Sequence, residues 1–192
     1  ALDSVAILAD PVFEKDDSRV QIAANALTLP EGAAGQTRDI DLSDENLHLN
    51  RLPETASEAG EIEKAAGAKA FLLKTGFAVN RALLASEELH RYGIIHFATH
   101  GYWDSDRPEL SGLVLSRYDP QGRKQDGFLR LSEIYNLRMP KELVVLSACE
   151  TAIGKDIRGE GLMALTRGFM YAGASRVMAS LWKVEENATV DL

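Results

Sequence analysis

Five short apolar runs set the rhythm of this chain, and each is closed by polar or glycine-bearing residues. The first, Ser4-Val5-Ala6-Ile7-Leu8-Ala9, ends at Asp10-Pro11, and others occupy residues 70–74, 94–99, 143–148 and 176–181. Short runs of this kind, rich in branched residues, read as buried strands. Between them the spacing turns helical. A helix is predicted to start near Leu52-Pro53-Glu54-Thr55, with the acids Glu58, Glu61 and Glu63 following and Gly67 ending it. A second is predicted from Val79-Asn80-Arg81-Ala82-Leu83-Leu84 to Gly93, and a third over residues 161–172. Leu113-Val114-Leu115 and Phe128-Leu129-Arg130-Leu131 flank the turn-rich Asp119-Pro120-Gln121-Gly122 and predict a small inserted hairpin. Residues 14–50 are polar and aperiodic, with acids at Asp39, Asp41, Asp44 and Glu45, and predict a long connection holding one short helix.

Strands that alternate with helices imply an α/β fold with a mostly parallel sheet and helices on both faces. In such sheets a site lies beyond the carboxyl ends of the strands. The length of 192 residues suits one domain, and a hydrophobic content of 45% supplies its core. The chain begins at Ala1 and stops at Asp191-Leu192, where Glu185-Glu186-Asn187-Ala188-Thr189-Val190 reads as a helix start, so a fragment of a longer chain is expected.

Net charge narrows the function. At −8, with no cluster of Lys or Arg, the chain offers no footprint for a phosphate backbone or an anionic membrane surface. No apolar stretch approaches the roughly 18 residues of a membrane span, and the N-terminus lacks a signal-peptide layout. A single Cys excludes an internal disulfide framework and a multi-cysteine zinc site, which fits a reducing, cytoplasmic location.

That one cysteine carries the chemistry. Cys149 follows the apolar run 143–148 and precedes Glu150-Thr151-Ala152-Ile153-Gly154-Lys155, whereas a packing cysteine would more naturally fall inside the strand. Forty-nine positions upstream (149 minus 100), the run 94–99 ends at His100-Gly101. Two strand ends therefore offer one thiol and one imidazole. A thiol with a pKa of about 8.5 attacks well when a neighbouring imidazole takes its proton or stabilises its thiolate. Caspase-type peptidases place the His about 50 residues before the Cys.

The segments His96-Phe97-Ala98-Thr99-His100-Gly101, Leu110-Ser111-Gly112-Leu113-Val114-Leu115, residues 143–151, Gly159-Glu160-Gly161 and Ala179-Ser180-Leu181-Trp182-Lys183-Val184 resemble, in order and spacing, those of the CHAT domain, a caspase-like family related to separases, metacaspases and legumains. They cover most of the chain from about Leu52 to its end. The resemblance implies a caspase-like three-layer αβα sandwich and a cysteine endopeptidase with His100 and Cys149 as its dyad. It implies an oxyanion hole built from the backbone N–H groups of Gly101 and Cys149, a contribution of roughly 2.7–4 kcal/mol per donor in related acyl-transfer chemistry. It also implies no metal cofactor, a protein or peptide substrate, and a helical-repeat domain that senses a trigger or recruits a partner.

By the same resemblance Trp182 would wall the groove that pairs with the substrate backbone, and Ser147 stands where arginine-specific relatives carry an acid. Glu150 lies beside the nucleophile. Other acids in plausible loops are Asp104, Asp106, Glu109, Asp156 and Glu160, and together they lean toward a basic cleavage preference.

Blander readings compete at several positions. His96 and His100 share an H-x-x-x-H spacing, but four residues of strand span about 13 Å, too far for one ion, so His96 reads as a core histidine. His48 and His90 read as surface residues. A phosphatase loop would need Arg where Lys155 stands, and a P-loop would need Gly at Cys149 and Ser or Thr at Asp156. Against the peptidase stand a catalytically silent protein-interaction domain of the same fold and, more distantly, an acyltransferase or other thiol enzyme.

Overall fold

The computed structural model describes residues 4–26, 47–67, 70–104, 106–147 and 160–179, the side chains of 24–26, 66 and 160 excepted. At its centre β1 (Ser4–Ala9) pairs in parallel on one side with β2 (Ala70–Thr75) and on the other with β3 (Ile94–Ala98). Then follow β7 (Leu143–Leu146) and β8 (Val177–Ala179), giving the all-parallel order β2-β1-β3-β7-β8. The near-continuous apolar sequence of β1 suits a strand covered on both faces. Ala6 and Leu8 join a core with Ile95, Phe97, Val144, Leu146 and Phe169, while Val5, Ile7 and Ala9 face Ala59 and Ala98. Leu73, on the outer strand β2, is 38% exposed.

Helices close both faces, giving the expected three layers. α2 (Pro53–Ala66) lies on one side, where Ala59 and Ile62 meet β1, and it ends at Gly67 in the left-handed conformation (φ 52°) that glycine adopts without strain. α6 (Glu160–Tyr171) lies on the other, its Leu165 and Phe169 buried and the Phe169 ring 5.4 Å from that of Phe97. α1 (Ser18–Ala26) supplies the short helix expected within residues 14–50; Asp17 caps it by accepting the Arg19 backbone N–H at 2.9 Å.

One prediction needs correction and one is extended. The single helix expected from Val79 to Gly93 is two short ones, α3 (Arg81–Leu84) and α4 (Glu87–His90). The Asn80 side chain accepts the Leu83 N–H and starts the first, and Ser86 hands its hydroxyl to the Leu83 carbonyl and stops it. The inserted hairpin is a three-stranded antiparallel sheet: β4 (Gly101–Tyr102), β5 (Gly112–Val114) and β6 (Phe128–Arg130), followed by α5 (Leu131–Ile134). Two residues of β4 are too few to show a period. Gly112 is required in this sheet, because a Cβ there would lie 2.0 Å from the Leu129 carbonyl oxygen.

The topology itself marks a place for a site. From β1 the chain moves outward to β2, then crosses back over β1 to β3 and continues the other way to β7 and β8. The direction reverses between β1 and β3, and beyond their carboxyl ends such sheets open a crevice. Among the described residues, no helix is long and apolar enough to cross a membrane.

Candidate functional site at the β1 and β3 carboxyl ends

Asp10, the first residue past β1, adopts a left-handed backbone (φ 45°) that Asp tolerates better than most side chains, and it is 2% exposed. Its N–H donates to Thr55 Oγ1 at 3.0 Å. Its carboxylate gathers Arg51 (Nη2 to Oδ2, 2.8 Å; Nε to Oδ1, 3.2 Å) and Arg19 (Nη1 to Oδ2, 3.0 Å). The segment 47–52 is thereby stapled over the end of the sheet. Two further bonds fix it: Leu49 N–H donates to Glu14 Oε1 at 2.9 Å, and buried Arg117 donates to the Leu47 carbonyl at 3.1 Å.

The staple presents one backbone carbonyl to the site. His100, two residues beyond β3, places Nε2 2.6 Å from the Asn50 oxygen. A carbonyl can only accept, so Nε2 carries the proton and, in the neutral ring, Nδ1 is the nitrogen able to take one. The ring is 1% exposed and lies 4.6 Å from the Phe13 ring, tilted by 51°. Burial lowers the His100 pKa, an effect the Asn50 carbonyl opposes by favouring the protonated ring. The backbone is fixed too: Val114 N–H donates to the His100 carbonyl at 2.8 Å, the Thr99 hydroxyl donates to the Val114 carbonyl, and Gly101 pairs with Leu113 in β4.

β7, which leads toward Cys149, is the parallel neighbour of β3. Cys149, Glu150, Asp156 and Trp182 lie outside the described residues. Ser147 is within them, and its hydroxyl sits 2.5 Å from His96 Nε2. His96 is the buried histidine its strand position predicted, 5% exposed, and burial brings its pKa down to about 4. Glu58 of α2 approaches the same nitrogen at 3.9 Å, too far for a hydrogen bond, and burial raises its pKa. Among the described residues no three His, Cys, Asp or Glu side chains converge as a metal ion would require.

The loop acids divide. Asp104 accepts the backbone N–H groups of Arg107 (2.9 Å) and Asp106 (3.0 Å), bonds that hold its pKa down, so it organises its own turn. Asp106 and Glu109 are exposed. Glu160 opens α6.

Sequence reasoning missed three features here. Residues 47–51 look like featureless polar chain, yet Asn50 meets the His100 ring and Arg51 ties this segment to Asp10. A groove of about 310 Å³ beside them is lined by Phe13, Glu14, Asp17, His48, Asn50 and Arg51. Trp103, 8% exposed, packs on the start of α6 so closely that a Cβ on Gly161 would fall 2.4 Å from its ring. The Gly in Gly159-Glu160-Gly161 was the one available signal of that contact.

The profile described as "CHAT domain" matches residues 2–192. The chain belongs to the CHAT domain family. This CHAT domain is similar to tetratricopeptide repeat protein 28 of Mus musculus, 32% identical over 124 aligned positions that take in 47% of this chain and 5% of the mouse protein. It is similar to the Homo sapiens protein of the same name, 38% identical over 87 positions covering 45% of this chain and 3% of that protein. The match thus spans a twentieth or less of the length of these relatives. Among solved structures, a flavodoxin from Streptococcus pneumonia TIGR4 aligns over 98% of this chain and 94% of its own at 10% identity with a TM-score of 0.38, a likeness too slight to bear on function.

Proposed function

We propose that this CHAT domain is a cysteine endopeptidase in which Cys149 is the nucleophile and His100 its acid–base partner. The observation that supports this best is the His100 ring itself, at the topological switch point, with Nε2 committed to the Asn50 carbonyl and the strand leading to Cys149 next door. In the proposed reaction the Cys149 thiol gives its proton to the His100 ring and Sγ attacks the scissile carbonyl carbon. The C–N bond breaks as the same proton passes to the leaving amine. Water then splits the thioester, releasing the acid and restoring the thiol. The N–H groups of Gly101 and Cys149 would bind the oxyanion, and Ser147, Glu150 and Trp182 would line the substrate path.

The substrate is a protein or extended peptide, recognised by main-chain pairing with a pocket for the residue before the cut. Both similar proteins carry "tetratricopeptide repeat" in their names, which supports a helical-repeat domain, in the same or another chain, as the regulator of this one. Its setting is cytoplasmic; the role needs no metal and no nucleic acid, and acidic composition with a single thiol supports both choices.

A catalytically silent interaction domain is favoured by one observation, the 1% exposure of His100. A library of peptidyl acyloxymethyl ketones varied at the first position, read by intact mass, separates the two. An active enzyme forms a Cys149 thioether that is lost in His100→Ala. Equal labelling of wild type and His100→Ala, with no cleavage of any peptide, refutes the endopeptidase.

A further inference from the structure

The exit of β7 is tied to β3 at two points. Ser147 N–H donates to the Phe97 carbonyl at 2.9 Å, and Ser147 Oγ lies 2.5 Å from His96 Nε2. β3 is also the strand that carries His100, four residues beyond His96. Both bonds therefore register the segment leading to Cys149 against the strand leading to its proposed partner. We propose that His96 is a positioning residue, holding Ser147 and through it setting where Cys149 stands relative to His100. This rests on the dyad reading above.

The arrangement is not a second, serine-based active site. In a serine triad the hydroxyl and the acid take opposite ring nitrogens, whereas Ser147 and Glu58 converge on the same Nε2. Nor is His96 a proton carrier near neutrality, because burial keeps the ring neutral until about pH 4. On the sheet its register partners are the apolar Ile7 of β1 and Val145 of β7, and among the described residues Glu58 of α2 faces it at 3.9 Å. A neutral imidazole in dry surroundings makes a directional bond that a water-exposed side chain could not match.

Because Cys149 is the sole cysteine, the rate of its alkylation by iodoacetamide in the intact chain reports its environment without ambiguity. His96→Ala and Ser147→Ala should each slow alkylation at pH 7 by roughly threefold to tenfold, the range one hydrogen bond supplies, and shift the midpoint of the rate–pH profile upward. The double variant should be no slower than either single one. His96→Gln, whose amide can still meet Ser147 Oγ, should recover most of the rate. A lower melting temperature in His96→Ala with unchanged alkylation in the folded protein overturns the proposal, as do additive effects in the double variant. The two readings fail separately. If His100→Ala leaves alkylation unchanged, the dyad reading falls; if His100→Ala slows it while His96→Ala does not, the dyad stands and the positioning role falls.

Discussion

Acidification from pH 7 to pH 5 should destabilise this domain chiefly through His96. In the folded state its pKa is lowered from 6.5 to about 4 by burial. A histidine whose folded pKa is depressed adds stability that is fully present above the unfolded pKa. That stability drains away as pH falls, because the unfolded chain takes up a proton near pH 6.5 that the native ring refuses. Each unit is worth about 1.4 kcal/mol, so His96 should remove about 2 kcal/mol by pH 5 and about 3 kcal/mol by pH 4. His100, also lowered by burial, acts in the same direction. Glu58 acts in the opposite one: its raised pKa contributes stability below the unfolded carboxyl range that is lost as pH rises.

Urea denaturation at pH 7 and pH 5 isolates the contribution of His96. The wild type should lose about 2 kcal/mol more over that interval than His96→Gln, which has no proton to gain. Parallel losses in the two proteins would refute the reasoning and would mean that His96 charges in place, paired with Glu58 across their 3.9 Å gap.

Three other outcomes follow from the same contacts. Asp10→Ala strands two guanidinium groups around a buried position and should destabilise the domain by about 3–5 kcal/mol in urea denaturation, with Asp10→Asn milder because it keeps an acceptor and tolerates the left-handed backbone. Gly112→Ala pushes a methyl group into the Leu129 carbonyl and should lower stability by about 3 kcal/mol or more; a melting temperature unchanged within 2 °C or so would show that β5 and β6 can part freely. Phe13→Ala opens one wall of the His100 pocket and should raise that histidine's pKa, followed by its ring-proton chemical shifts against pH; no rise would mean that other groups keep the ring dry.

The frame of this domain was legible because its signals are local. Each strand of the parallel sheet falls on a short apolar run bounded by breakers, where shortness and branched residues favour a strand over a helix. His100 was legible for the same reason: it ends such a run, and its neighbour Gly101 marks the turn into β4. His96 was legible as a core residue from its place inside the run, but its tie to Ser147 was not, because it depends on which strand sits beside which. The staple over the site was invisible. Nothing in Leu49-Asn50-Arg51 distinguishes it from polar linker, and its partners Asp10 and Glu14 stand 41 and 35 positions away. The same holds for Trp103 on Gly161, where a missing side chain was the one trace of a contact.

The staple also explains why a buried ion cluster belongs at the mouth of this sheet. A buried carboxylate with two arginines is weak support for stability, since desolvating the charges offsets much of their attraction. Its worth here lies in where it acts. Arg51, bound to Asp10, and Leu49, bound to Glu14, flank Asn50 on both sides, so the carbonyl between them has little freedom. That carbonyl selects the His100 tautomer with Nδ1 as proton acceptor. A hydrophobic cluster of equal volume could hold the segment down, but packing alone does not fix the direction of a backbone oxygen. The ion cluster at β1 and the imidazole at β3 are thus parts of one device, in which charge pairing on one strand end sets the protonation geometry on the next.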